Sequence, residues 1–295
     1  MFKSFNDLKN SITAAQKTIV VAAAHDKHTL EAVFAASNEL KTGYILVGNR
    51  DMIKSLSSDM GFTVNDDVLV DALDDEDCAR VAVRLIKNGN GDTLMKGNIE
   101  TGTLLKTVLN GESGMRGSGT LSHLAIVETP AYHKLVGVTD GGMIPNPTLS
   151  QKADIVRNAT AYYQSIGYEC PKVAALCASE SVSPKIPETV GAAKLQEMCI
   201  NGELGDCLLE GPLSFDIAVS RESALIKGFS SEISGDTDIL LVPNITVGNV
   251  LVKGLIYWAG AKMAGCILGA KVPIVLTSRG ASAEEKLLSI LLSLA

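Results

Sequence analysis

Leu124-Ala-Ile-Val-Glu-Thr-Pro-Ala-Tyr-His-Lys-Leu-Val-Gly-Val-Thr139 is where the chain departs from its otherwise regular pattern. Two apolar runs, Leu124–Val127 and Leu135–Thr139, are separated only by Glu128–Lys134, which includes Pro130. That connection is too short for a crossover helix, so the two runs are expected to pair as antiparallel neighbours. Elsewhere the runs Thr18–Ala24, Tyr44–Val47, Val68–Val70, Thr93–Met95, Val173–Cys177, Cys207–Leu209, Ile239–Val242 and Ile274–Leu276 alternate with longer segments of three-to-four spacing. Leu30, Val33, Phe34 and Leu40 mark one such helical face. Ile155, Ala159, Tyr162, Tyr163 and Ile166 mark a second, and Leu287, Leu288, Ile290 and Leu291 a third. Short apolar runs without alternation read as strands buried on both faces. Strands alternating with helices imply βαβ units and a mostly parallel sheet. Ten strands are many for one open sheet, so the expectation is two α/β domains with a cleft between them. The change of pairing rule places the first boundary near residue 123.

The 295 residues carry 26 Lys and Arg against 33 Asp and Glu, a formal net charge of −7. With 46 % hydrophobic and 20 % charged residues, the chain is too apolar to be disordered. An acidic chain with so few arginines is a poor polyanion binder, so nucleic acid is not an expected partner. The six cysteines (Cys78, Cys170, Cys177, Cys199, Cys207 and Cys266) form no CxxC pair. That argues against a zinc site or a disulfide framework and for small buried hydrophobes in a reducing cytosol. The opening MFKSFNDLKNS has no apolar signal core. The longest apolar stretch, Gly254–Leu276, contains Lys262, Lys271 and Pro273, so no membrane span is expected. The expected location is cytoplasmic.

Several segments could carry chemistry. The loop Gly111-Glu-Ser-Gly-Met-Arg-Gly-Ser-Gly119 could bring backbone N–H groups and Arg116 to a phosphate, or be a plain exposed loop. Lys96-Gly97 ends the strand begun at Thr93, where α/β proteins bind ligands; the alternative is a Lys whose stem lies along the surface. Asp140 stands at another strand end before Gly141-Gly142, as a ligand-facing carboxylate or as a turn former. Asn244, after Val242-Pro243, reads equally as a helix cap or an amide donor. Thr277, Ser278 and Arg279 bring hydroxyls and a guanidinium to the start of the last helix, an anion site by the physics of exposed N–H groups. Ser282 and Glu285 fit a capping box there. The histidines His25, His28, His123 and His133 lack metal spacing with a carboxylate cluster, and there is no GxSxG elbow.

The ordered set Lys96-Gly97, Gly114-Met-Arg-Gly-Ser-Gly119 with Leu121-Ser122-His123, Val138-Thr-Asp140, Gly211-Pro-Leu-Ser-Phe-Asp216, Val242-Pro-Asn244 with Gly248-Asn249, and Leu276-Thr-Ser-Arg279 resembles the phosphate acetyl/butyryltransferase family, the butyryl branch most closely. The resemblance covers almost the whole chain. It implies two three-layer α/β domains of the isocitrate/isopropylmalate dehydrogenase-like fold, with the active cleft between them. The first domain would comprise residues 1–123 and 266–295. The second, 124–265, would carry dimerisation in a homodimer or larger assembly. The implied reaction is acyl-CoA + phosphate ⇌ acyl phosphate + CoA, with no metal or other cofactor and with CoA as a substrate.

Read onto the residues, the resemblance makes Arg279 the phosphate holder and Ser278 the partner of the thiol or oxyanion. It places Lys96, Arg116, Ser122, His123, Asp140, Asn244, Asn249 and Thr277 about the substrates. Acetyl-transferring relatives carry an aspartate seven residues after that Ser. This chain has Glu285 there, so Glu285 is the candidate general base. The rival readings are a dehydrogenase of the same fold, which would need an NAD site and an acidic metal cluster, and a non-catalytic acyl-CoA or phosphate sensor.

Overall fold

The structure is a computed structural model; it describes every residue except Thr13, Ala15, Ser113, Ser118, Ser278, Arg279 and Gly280. The strands are β1 (Thr18–Ala22), β2 (Gly43–Gly48), β3 (Leu69–Asp71), β4 (Thr93–Lys96), β5 (Ser122–Glu128) and β6 (Val136–Thr139). They continue with β7 (Lys172–Leu176), β8 (Leu208–Leu213), β9 (Ile239–Leu241), β10 (Lys262–Leu268) and β11 (Ile274–Val275). The helices are α1 (Phe5–Ser11), α2 (Lys27–Leu40), α3 (Arg50–Asp59), α4 (Asp75–Lys87), α5 (Thr101–Val108) and α6 (Leu149–Ser165). Five more follow: α7 (Pro187–Ile200), α8 (Phe215–Val219), α9 (Arg221–Ile226), α10 (Ile245–Ala259) and α11 (Ala283–Ser293). The chain divides into two compact units, one of residues 9–118 with 264–295 and one of residues 1–8 with 119–263.

In the first of these units the strand order is β3-β2-β1-β4-β11-β10. All pairs are parallel except β11 with β10. The chain runs from β1 outward to β2 and β3, then returns to lay β4 on the other side of β1. Such a reversal opens a crevice at the carboxyl ends of the two central strands. Ile19, Val20, Val21, Leu94 and Met95 are fully buried, and α11 packs on α2. Beyond β1 and β4 the backbones nearly touch. Gly97 donates its N–H to Ala22 O at 2.9 Å, and Asn98 donates to Ala23 O at 2.8 Å. A Cβ on Gly97 would lie 2.2 Å from the Ala23 carbonyl oxygen, so glycine is required there.

In the other unit the order is β5-β6-β9-β7-β8, with β5 and β6 antiparallel and the rest parallel. Leu124 faces Thr139 and Val127 faces Val136, the pairing expected from the seven-residue connection. The core gathers Val127, Val138, Ala174, Leu213, Ile217 and Leu240. Residues 1–8 dock on this unit: Leu135 N–H donates to Phe2 O, and Phe5 N–H to Glu128 Oε2.

All ten apolar runs form strands, with ends displaced by a few residues. The eleventh strand, β10, lies inside Gly254–Leu276, where Lys262 alone marks its start. The break is conformational: Gly260 takes φ 62° and caps α10, and the strand begins two residues later. Among the cysteines Cys78, Cys207 and Cys266 are buried as expected, Cys177 and Cys199 are half-buried, and Cys170 is exposed, which departs from the buried reading. Among the described residues no helix is long and apolar enough to cross a membrane.

Candidate active site

The unit of residues 9–118 and 264–295 holds a cavity of about 530 Å³ at the carboxyl ends of β1, β4 and β11. Lys96 and Thr277, both expected at the site, line it together with His25, Asp26, Asn98 and Lys286. This is the crevice that the β1/β4 reversal creates. Lys96 Nζ donates to Gly97 O at 3.0 Å and Ile99 O at 2.8 Å, which fixes the ammonium at the strand end. Asp26 caps α2 by accepting from Thr29 N–H at 2.9 Å. His25 has a buried Nδ1 without a hydrogen-bond partner among the described residues. Gly48 leaves room for it, since a Cβ there would come within 2.7 Å of that nitrogen.

Ser282 caps α11 by accepting from Glu285 N–H at 3.1 Å. Burial pushes the Glu285 carboxyl above its ordinary value, with Lys286 and the Ser282 backbone opposing the shift. Ser278 and Arg279, expected at the centre of the chemistry, lie outside the described residues. Arg116 is exposed and does not line the cavity; its backbone bridges to Ala270, and Gly117 N–H donates to Gly269 O at 3.1 Å.

The other expected residues belong to the unit of 1–8 and 119–263. Asp140, 2 % exposed, accepts from the N–H groups of Gly142 and Met143 at 2.9 Å and of Ile144 at 3.1 Å. Its carboxylate therefore shapes the turn after β6, the turn-forming alternative. It also stands beside a histidine. Burial pushes the His123 imidazole below its ordinary value, against the attraction of Asp140. Its Nδ1 is buried and unpartnered among the described residues. Gly142 packs on that ring, and Gly141 packs on the backbone of Gly248 and Asn249. Asn244 caps α10, accepting from Val247 N–H at 3.1 Å, so the capping reading holds. Asn249 is exposed on α10. Ser122 is buried, and its hydroxyl accepts from Asn158 Nδ2 at 2.9 Å.

Several cavity residues, His25, Asp26, Asn98 and Lys286 among them, escaped the sequence reading. His25 was weighed only as a metal ligand, and among the described residues no group of three or more His, Cys, Asp or Glu could hold a metal ion. Lys286 carried a signal that went unused: it is a cation in the first turn of a helix, where the macrodipole favours anions.

The model of the family Phosphate acetyl/butaryl transferase matches residues 70–294. The phosphate butyryltransferase of Clostridium acetobutylicum is 41 % identical over 99 % of this chain and 98 % of its own. The phosphate acetyltransferase of Thermotoga maritima is 39 % identical over 94 % of each. A crystal structure of a branched-chain phosphotransacylase from Enterococcus faecalis superposes with a TM-score of 0.83 at 34 % identity, covering 94 % of this chain and 98 % of that one. A 4-hydroxythreonine-4-phosphate dehydrogenase from Klebsiella pneumoniae, at a TM-score of 0.53, 12 % identity and coverage of 95 % and 98 %, shares the fold alone. The mixed α/β architecture, the cavity at the strand reversal and this near-complete coverage converge: the chain belongs to the phosphate acetyl/butyryltransferase family and is a phosphate acyltransferase, joining acyl-CoA and phosphate.

Proposed function

We propose that the acyl group is a short one of about four carbons, straight or branched, and that the site gathers around the Lys96–Thr277 cavity. Identity over nearly the full chain to a butyryltransferase carries the choice of acyl group, and the 34 % likeness to a branched-chain transacylase supports it. In the forward step a phosphate oxygen attacks the thioester carbon. A tetrahedral oxyanion forms, the C–S bond breaks, and the thiolate leaves and takes up the proton phosphate released. Atoms and electrons balance without a redox partner, so no cofactor is called for. A free thiol has a pKa of about 8.5, so a group that gives or takes its proton assists near neutrality. Glu285, its carboxyl raised by burial, suits that role. Arg279 would clamp the phosphate through its planar fork, and Ser278 would donate to the oxyanion or the thiol. Arg116, Ser122, His123, Asp140, Asn244 and Asn249 complete the substrate surroundings in this reading.

The protein is proposed to act in the cytoplasm as a homodimer or larger homo-oligomer. Supporting this, α10 exposes Val250 at 65 %, Tyr257 at 80 % and Trp258 at 94 %. The test is phosphate-dependent CoA release from acetyl-, propionyl-, butyryl- and isobutyryl-CoA, with wild type beside Arg279→Ala. Release that needs phosphate, favours the four-carbon thioesters and falls at least about a hundredfold in the variant is expected. Release without phosphate, or an unaltered variant, would sink the reading. For Glu285→Gln, a loss of kcat with a displaced alkaline limb is expected in the CoA-release direction, where Glu285 would protonate the departing thiolate; an unchanged rate and pH profile would exclude Glu285 as the group that handles the thiol proton.

A further inference from the structure

Cys199 stands in the last turn of α7, and Cys207 is the residue before β8. The chain between them doubles back. Gly202, at φ 76°, donates its N–H to Cys199 O at 2.9 Å, and Glu203 donates to Met198 O at 2.9 Å. Such a pair of bonds across a left-handed glycine closes a helix. Gly205, at φ 83°, makes the second bend. The turn brings two thiols together. Cys199 Sγ donates to Cys207 O at 3.2 Å, and the two sulfurs lie 3.7 Å apart. A disulfide bond is about 2.0 Å long, so the sulfurs need an approach of less than about 2 Å to bond.

Neither thiol belongs to the cavity at the ends of β1, β4 and β11, which lies in the other unit. No metal ion explains the pair, since no group of three or more His, Cys, Asp or Glu among the described residues could hold one. Burial, and then the neighbouring Cys199, push the Cys207 thiol up to about 12. A protonated thiol is a poor nucleophile, so Cys207 stays inert towards most reagents. Cys199 is half-buried and is the more accessible of the two. The exposed Cys170 is a third thiol nearby; burial, then Cys199 and Asp206, push it up as well.

We propose that Cys199 and Cys207 form a reversible oxidation site, at which a hydroperoxide converts the pair into a disulfide joining the end of α7 to the start of β8. The Cys199 sulfur attacks a peroxide oxygen. The O–O bond breaks, the thiol proton passes to the departing oxygen, and Cys199 is left as a sulfenic acid. The Cys207 sulfur then attacks the sulfenic sulfur. The S–S bond forms, the S–O bond breaks, and hydroxide leaves with the Cys207 proton as water. The two thiols lose two electrons and the peroxide gains two. Because the second thiol is already in place, ring closure outruns further oxidation of Cys199. β8 is the outer strand of its sheet, and the bond would tether the start of that free edge. This inference does not rest on the transferase reading.

The test is made on the full-length protein, treated with hydrogen peroxide, blocked with iodoacetamide and digested with trypsin. Cys199 and Cys207 fall in one tryptic peptide, residues 195–221. The expected result is that this peptide carries no alkyl group, is lighter by two hydrogens than its reduced form, and regains both alkylation sites after dithiothreitol. Cys170→Ser should behave as wild type, and Cys199→Ser should form no bridge. Oxidised wild type should also melt a few degrees higher than reduced wild type, a gain absent in Cys199→Ser. Both cysteines still open to alkylation, Cys199 carried on to sulfinic acid, or a bridge from Cys170 to either thiol would overturn the site. An unchanged melting temperature in the bridged protein would overturn the tether.

Discussion

Lys134 leaves no side-chain surface exposed, and its Nζ sits 2.6 Å from Asp238 Oδ1 and 2.8 Å from Asp236 Oδ1. Lys172 adds a second cation to Asp236. Burial alone would raise the Asp236 carboxyl, but the hydrogen bonds from Lys134, Lys172 and His133 outweigh it and hold it well below the ordinary carboxylate range. A carboxyl depressed in the fold stabilises above its unfolded pKa, near 4, and that contribution disappears as pH falls toward the folded value. Removing the cation with Lys134→Met is expected to cost about 3–5 kcal/mol at pH 7, because buried Asp238 loses its cation and Asp236 keeps only Lys172 and His133. The penalty should shrink below about pH 4, where Asp236 of the variant protonates. Urea unfolding of both proteins from pH 3 to 7 reads this out, and a penalty constant across the range would contradict it. A simpler case is Cys266, whose thiol burial pushes up to about 12. It should resist alkylation in the native protein at pH 7.5 while exposed Cys170 reacts, as peptide mass mapping would report. At this scale the sequence made Lys96 and Thr277 legible because each follows an apolar run at a strand's carboxyl end. Lys286 stayed hidden because the pattern marks it as one polar residue among Ala283-Glu-Glu-Lys286, and burial of a Lys leaves no trace in spacing.

The elements were easier to read than the side chains. Unalternating apolar runs mark strands covered on both faces, and the seven-residue Glu128–Lys134 link forced the antiparallel β5/β6 pair. What stayed illegible was the point where α10 gives way to β10, because both are largely apolar and only Gly260, Ala261 and the leading Lys262 mark the change. The crossing of the β1 and β4 ends makes a sharp prediction. Gly97→Ala drives a methyl into the Ala23 carbonyl and should cost about 1–3 kcal/mol while enlarging the phosphate KM. Gly102→Ala, in α5 with nothing within 4 Å of the new methyl, should leave the protein equal or up to about 1 kcal/mol more stable. Thermal melts of the pair decide it; equal losses would mean the close approach at Gly97 is not what limits it. On α10, Trp258→Glu should shift sedimentation toward the single chain if that face joins copies, and leave it unchanged otherwise.

For the molecule as a whole, the units differ in what each holds: the cavity with Lys96, Thr277 and Lys286 lies within the one built from residues 9–118 and 264–295. Phosphate at a hundred times its dissociation constant should add about 2.7 kcal/mol to the state that binds it. If phosphate binds in this cavity, hydrogen exchange should slow in β4 and α11 more than in β7 or β8; uniform slowing would disagree with binding there. The interleaving of the two units also sets an order of birth. On a ribosome, residues 9–118 emerge before 119–263, yet β11, which pairs with β4, and α11 follow only after residues 119–263. At ordinary elongation rates the wait is on the order of ten seconds. Throughout it β4 is an open edge, with the backbone of Leu94 and Met95 free to pair with a foreign strand. The later-made unit can close on itself while the earlier one still needs shelter, so nascent-chain chaperoning would matter most for the part that holds the Lys96–Thr277 cavity.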